Sequence, residues 1–305
     1  MQRELGSHDR EFGGAVGRLL AGFRLLLPRI GNRILMKLRL SCLVALLASL
    51  SFSQGQVLFS SGFDTDLGFG SELNSADNEV TFGYDYSADG IAAAPNGVGT
   101  VGLKLRSNIS GGAATGVAVH ATNASFTGQY RASFDIYTSN VANGSTEFIG
   151  GGVGFSVGAG YLDGAVMIGS TDGDTARAFR FYADGVEDTG LALNNTDALP
   201  SSVIPGAGGN AAGTLSFAWH TMDIVADTDA MTARFLLNGS EFGMVSGVDV
   251  SGGVSLVYAD LFSSIATPTD GAFGLVDNLT VTQIPEPSSV ALLMLGIGLF
   301  VRRRR

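Results

Sequence analysis

The sequence predicts an all-β fold, a sandwich of two packed antiparallel sheets. Three observations predict it. Between residues 56 and 284, apolar and polar residues alternate and helical periodicity is nearly absent. Turn pairs recur between the alternating runs: Asp89-Gly90, Asn96-Gly97, Asn143-Gly144, Asp172-Gly173, Asp184-Gly185 and Asn238-Gly239. Glycine makes up 44 of 305 residues, spread through turns and strands rather than gathered in a linker. That is twice the usual share of about 7 %, and many short strands with frequent turns pack as two antiparallel sheets.

Ahead of the sandwich, "MKLRLSCLVALLASLSFSQGQ" has the layout of a secretory signal helix starting at Met36. Lys37 and Arg39 form its basic end and Leu40 to Leu50 its apolar run, and small residues precede a cut at Ser53/Gln54. Residues 1–35 hold six arginines and a broken apolar pattern. They read as an extension from a start assigned too early, the alternative being an unusually long signal. Cys42, the one cysteine, lies inside the signal, so disulfides play no part in the mature part.

Residues 54–284 form the ectodomain. In "QYRASFDIYTS", Tyr130, Ala132, Phe134 and Ile136 share one face, and Gln129, Arg131, Ser133 and Asp135 the other. Similar runs occur at 79–86, 101–106, 116–121, 146–157, 164–168, 177–183, 214–226, 231–237, 254–259 and 272–282. Residues 200–213 read as the one longer loop. In "WHTMDIVADTDAMTARFLLNG", Met222, Ile224 and Ala226 face one way, Asp227-Thr228-Asp229 turns the chain, and Met231 to Leu237 returns. This segment resembles the hairpin of laminin-G and concanavalin-like jelly rolls. "VLFSSGFDTDLGF" and "GAFGLVDNLTVTQ" resemble the first and last strands of such folds, and the resemblance implies that they pair.

The chain ends in "IPEPSSVALLMLGIGLFVRRRR". Pro285 and Pro287 stop regular structure and leave Pro285-Glu286-Pro287 extended. Val290 to Val301 carries no charge and as a helix spans about 18 Å, short of a hydrocarbon core of roughly 30 Å. Arg302, Arg303, Arg304 and Arg305 stay cytoplasmic by the positive-inside bias. The tail, 285–305, thus reads as a short C-terminal transmembrane helix. Its order resembles the PEP-CTERM sorting signal of exported bacterial proteins. That resemblance implies an exosortase, a membrane cysteine protease, cutting near Pro285, Glu286 and Pro287 after export by the Sec machinery, at the cell envelope, surface or outside it. Whether the tail is cut or stays as an anchor is open at this point.

Residues 54–284 hold six Lys/Arg against 24 Asp/Glu, a net charge of −18. With no basic patch to release phosphate counterions, nucleic acid is excluded as a partner. His120 and His220 each stand alone in a strand, and HExxH, CxxC, GxSxG and P-loop motifs are absent. The reading is a non-catalytic surface or extracellular-matrix protein. The alternative is a glycan-binding module or, further off, a glycoside hydrolase on the same fold, either engaging extracellular polysaccharide. Candidate aromatic contacts for sugar are Tyr84, Tyr86, Tyr161, Tyr182 and Tyr258, with core packing the default for each. One carboxylate is out of place. Strict alternation groups Asp277 with Phe273, Leu275, Leu279 and Val281, and a lone buried carboxylate is costly. Either the strand bulges there, or Asp277 has hydrogen-bond partners, or it meets a cation. Structural calcium held with Asp64 and Asp66 fits the third case.

Overall fold

The computed structural model describes residues 55–110, 113–139, 147–172, 177–262 and 272–285. The signal segment, residues 1–35, Ser53 and Gln54 lie outside these residues. So do Glu286, Pro287, the apolar run and Arg302 to Arg305.

The described chain is two antiparallel sheets. Its strands are β1 (Val57–Ser61), β2 (Phe69–Leu73), β3 (Glu79–Asp85), β4 (Val101–Arg106), β5 (Thr115–Ala121), β6 (Gln129–Ser139), β7 (Glu147–Phe155) and β8 (Ala165–Ser170). They continue as β9 (Phe179–Ala183), β10 (Val186–Glu187), β11 (Trp219–Asp227), β12 (Thr232–Leu237), β13 (Ser240–Ser246), β14 (Gly253–Asp260) and β15 (Phe273–Gln283). One sheet runs β13-β12-β11-β6-β15-β4-β3, with β1 beside the second half of β15. The other runs β10-β9-β8-β7-β14-β5-β2. All ten alternating runs contain strands, and "QYRASFDIYTS" is β6 from end to end.

The core lies where the inner faces meet. Phe134, Ile136, Met222, Ile224 and Phe235 of the first sheet face Val117, Val119, Ile149, Met167 and Leu256 of the second, all almost fully buried. The hairpin β11–β12 has the expected faces, with Met222 opposite Leu237 and Ile224 opposite Phe235. Asn238 and Gly239 both take positive φ (50° and 79°), which a two-residue turn into β13 requires. β1 pairs with β15, Ser60 opposite Thr280, so the two ends of the domain are neighbours. The loop at 200–213 differs from expectation: its start belongs to a short helix, α1 (Ala198–Val203). Pro200 fits there because a first helical turn needs few backbone donors.

β7 explains three consecutive glycines. It is buried on both faces between β14 and β8. A Cβ on Gly150 would stand 2.0 Å from the Met167 carbonyl oxygen, and one on Gly151 2.7 Å from the Phe134 ring. The strand sits where only a bare backbone fits. Gly150→Ala is expected to destabilise the domain by about 2–3 kcal/mol, as overpacking against backbone does. Urea unfolding of the two proteins checks this, and an unchanged midpoint would refute the close approach.

Candidate functional site

β15 carries both features of functional interest. At its end, Gln283 N donates to Gln56 O (2.8 Å) and Ile284 N donates to Gln129 O (2.8 Å). The Gln283 side chain also donates to Gln129 O (2.7 Å). Pro285 follows at once and is exposed. The folded domain therefore reaches the first proline of the Pro-Glu-Pro stretch without a spacer.

The second feature is a bulge. β15 is in register with β6 up to Asp277 opposite Asp135, and the register shifts before Thr280. Asn278 takes φ 57° at that point, which asparagine tolerates better than most residues. The bulge corrects the strict alternation. Val276, Leu279 and Val281 face the core, whereas Phe273 and Leu275 lie on the opposite, outer face with Tyr86. Asp277 thus avoids the apolar interior.

Asp277 is nonetheless nearly buried, and Asp135, its cross-strand neighbour, is fully so. Donors surround both. The Tyr86 hydroxyl donates to Asp277 Oδ2 (2.9 Å) and Asn278 N donates to Oδ1 (2.7 Å). Asp135 accepts from Asn96 Nδ2 (2.7 Å) and Thr221 Oγ1 (2.8 Å) on one oxygen, and from Asn278 Nδ2 (2.9 Å) and Asn96 N (3.1 Å) on the other. Burial pushes the Asp277 carboxyl above its ordinary range, the hydrogen bonds from Tyr86 and Asn278 oppose this, and the charges of Asp135 and Asp64 add to the rise. Chemically, the pair fastens the 86–100 loop across the outer face of the first sheet. Trp219 Nε1 holds the same loop through the Ala92 carbonyl (2.8 Å).

Of the residues named for calcium, Asp277 and Asp64 lie near each other: one oxygen of each is within 4 Å of where a Cβ on Gly62 would stand. Asp66 sits in an exposed turn, its carbonyl accepting from Phe69 N (3.1 Å). Among the described residues no group of three or more His, Cys, Asp or Glu is placed to hold a metal ion. The sequence reading missed Asp135, because cross-strand neighbours on distant strands leave no local signal.

Beside the pair, the outer face opens into a groove of about 610 Å³. Ser60, Arg131, Ser133, Asp223, Thr280 and Thr282 line it, with Asn96 and Asn278 at the end that holds the carboxylates. Arg131 Nε stands 3.8 Å from Asp223 Oδ1. Arg131, Ser133, Thr280 and Thr282 point outward by the same alternation that buries Ala132, Phe134 and Val281.

The remaining candidates sort by burial. Tyr86, Tyr182 and Tyr258 are buried, as the default of core packing has it, which removes them as sugar contacts, while Tyr84 and Tyr161 are half-buried. The Tyr84 hydroxyl donates to Asp89 (2.5 Å), and Lys104 Nζ lies 4.1 Å from its ring centre. His120 and His220 are both buried. Asn238 Nδ2 donates to His220 Nδ1 (3.0 Å), which places the ring proton on Nε2. The Leu215 backbone lies near the ring and favours its protonated form, against the larger effect of burial. Burial lowers the His220 pKa to about 4. Glu147 is also buried, paired across strands with Asp260 at one end of the second sheet.

Residues 283–305 match the PEP-CTERM protein-sorting motif. The fold is similar to a Bacillus subtilis protein of unknown function with a galectin-like fold, at 11 % identity and a TM-score of 0.41, over 75 % of this chain and 97 % of that one. It is similar to the carbohydrate recognition domain of Emp47p, at 9 % identity and a TM-score of 0.40, over 76 % and 98 %. It is also similar to a Bacillus licheniformis β-glucanase, at 10 % identity and a TM-score of 0.40, over 75 % and 99 %. No curated protein matches the sequence.

Two stability measurements follow from the buried groups. Tyr86→Phe leaves the Asp277 carboxylate short of a donor and is expected to cost about 1–3 kcal/mol in urea unfolding. Because the folded pKa of Asp277 is raised, native Asp277 holds its proton more tightly than the unfolded chain does. Its ionisation then penalises the fold as pH rises above the ordinary carboxylate range. Asp277→Asn removes this penalty, so its Tm relative to the parent should be higher at pH 7 than at pH 4. A constant offset would refute the raised pKa.

His220 acts with the opposite slope. Its folded pKa is depressed to about 4 from 6.5. The unfolded chain therefore takes up a proton first, and stability falls as pH drops from 6.5 towards 4. The loss amounts to as much as about 3 kcal/mol. His220→Gln should flatten that limb of the pH–stability curve, and an unaltered limb would show that other groups cause it.

Proposed function

We propose that this chain is an exported, non-catalytic protein of the bacterial surface or extracellular matrix. It crosses the membrane by the Sec machinery, is held briefly by its tail, and is released or retained by an exosortase-type protease acting at Pro285, Glu286 and Pro287. The observation that carries the reading is the position of the sorting motif. It is matched over 283–305, and so begins on the last residue of the last strand of an acidic sandwich. A folded domain ending where an address begins is what a cargo needs. The net charge of −18 over 54–284 favours a dissolved product over one bound to anionic lipid.

The outer-face groove favours a second reading, in which the domain also holds extracellular polysaccharide. Hydroxyl, amide, guanidinium and carboxylate groups converge there at a size suited to a few sugar rings. Saturable binding on a carbohydrate array, weakened by Arg131→Ala, would support it. Release of sugars from a bound glycan would instead overturn the non-catalytic assignment.

Fractionation of the native host tests the main reading. The parent chain is expected outside the cytoplasm with its tail removed, and Pro285→Ala/Glu286→Ala/Pro287→Ala is expected to accumulate uncut in the membrane fraction. Full-length parent chain dissolved in the cytosol would overturn the reading.

A further inference from the structure

We infer that a row of aromatic residues on the outer face of the first sheet, with Lys104 at one end, is a second seat for polysaccharide and takes neutral rather than acidic sugar polymers. This rests on the reading in which the domain holds extracellular polysaccharide, at a place apart from the groove beside the carboxylate pair.

Cross-strand register builds the row. Trp219 on β11 stands opposite Tyr137 on β6, Tyr137 opposite Leu275 on β15, and Leu275 opposite Lys104 on β4. At about 4.8 Å per strand, the row is roughly 14 Å long. Leu275 and Phe273 form its buried floor, and Trp219, Tyr137, Tyr84 and Lys104 around them are half-buried. The rings are held in place by the fold. Trp219 packs on Tyr137 with 5.4 Å between ring centres and on Tyr86 with 5.3 Å, and its Nε1 donates to the Ala92 carbonyl (2.8 Å). The Tyr84 hydroxyl is fixed on Asp89 (2.5 Å). Rings already fixed lose little freedom when a ligand binds.

Lys104 is the unusual member. It is the one lysine of residues 54–284. Its Nζ lies 4.1 Å from the Tyr84 ring centre and 4.4 Å from that of Phe273. Among the described residues it makes no hydrogen bond or ion pair. Its N–H donors are therefore uncommitted, and the exposed Asp89 carboxylate offers acceptors nearby. Ring faces suit the apolar face of a sugar, and the ammonium and carboxylate suit its hydroxyls. A purely apolar partner would bury both charges without hydrogen bonds, at a cost. An acidic polymer would meet Asp89, Glu79 and a net charge of −18 over 54–284. Arg106, the other cation on β4, is already paired with Glu79 (3.2 Å). A neutral polymer meets none of that repulsion.

Trp219 is the one tryptophan of the chain, so its fluorescence reports on this row. Titration of the full chain with a soluble neutral β-glucan and a soluble mannan should shift the emission saturably with one of them, at a midpoint indifferent to salt. Lys104→Met keeps the apolar stem and should raise the Kd about fivefold, the loss of about one hydrogen bond. Trp219→Ala should weaken binding on a carbohydrate array about tenfold. An unchanged urea midpoint for Lys104→Met separates a lost contact from a lost fold. Preference for a polyuronate, or binding that fades as salt rises, would overturn the assignment to neutral polymers. Glycan binding that Arg131→Ala weakens, with Lys104→Met and the Trp219 emission both without effect, would overturn the row and leave the groove standing. Binding to no glycan at all would overturn both.

Discussion

Strand β15 has hydrogen-bonded neighbours on both edges, β6 along one and β4 then β1 along the other. Much of the molecule depends on that arrangement. A central strand at the C-terminal end of the domain means that the first sheet stays split until the last residues have arrived. Its β13-β12-β11-β6 part would present one open edge, and β4 and β3 another. The pairing of Ser60 with Thr280 closes a loop of most of the domain, and contacts of that range form late and slowly. In a chain threaded outward from its N-terminus, closure waits for the segment next to the sorting motif. The domain and its address thus become complete almost together.

The bulge in β15 is the local cost of this placement. Two carboxylates stand opposite each other at Asp277 and Asp135, both shielded from water. Like charges across a strand pair are destabilising, and burying them adds desolvation. What offsets this is a set of neutral donors: one tyrosine, two asparagines, one threonine and two backbone amides. Nearly all of them belong to the 86–100 loop or to the bulge. The arrangement therefore stabilises the loop more than it stabilises the sheet. Removing one partner of such a network leaves a buried charge unsatisfied, whereas the intact network contributes modestly. Its value lies in fixing one position for a loop that covers Phe273, Leu275 and Trp219.

How much of this was legible in the sequence follows from what a sequence encodes locally. β6 and the β11–β12 hairpin each have one face in the core and one in water, so their alternation is visible. β7 has no wet face, and its glycines answer to Met167, Ser255 and Phe134 from other strands. The run at 146–157 reads as a strand, but a strand buried on both faces does not show in its own residues what its glycines pack against. β13 escaped notice because its short run falls straight after the Asn238-Gly239 turn and is broken by a register shift opposite Phe235 and Leu236. Asp277 was marked as anomalous by alternation alone. Its neighbour Asp135 was not, since on β6 it falls on the outward, polar side where a carboxylate needs no explanation. The pairing that makes it matter joins residues 142 positions apart. Burial of Tyr86, Tyr182 and Tyr258 was equally out of reach, because a tyrosine suits the core and the surface alike.

The distribution of charge connects the fold to the address. Of the 18 Lys and Arg, 12 lie outside residues 54–284, four of them in the last four positions. The ends are cationic and apolar, as segments that meet an anionic membrane face should be. The sandwich carries nearly all of the acidic residues. On the proposed reading, the attached ends would hold an anionic domain at a membrane. Their removal would leave an anionic domain in which Gln56 and Gln283 meet at the end of the central strand, and anionic lipid would not attract it. Proteolysis at the motif would then change the phase in which the protein resides without changing the fold. That outcome requires the cut to spare β15, since losing the central strand would expose the edges of β4 and β6 and the core residues Leu279 and Val281.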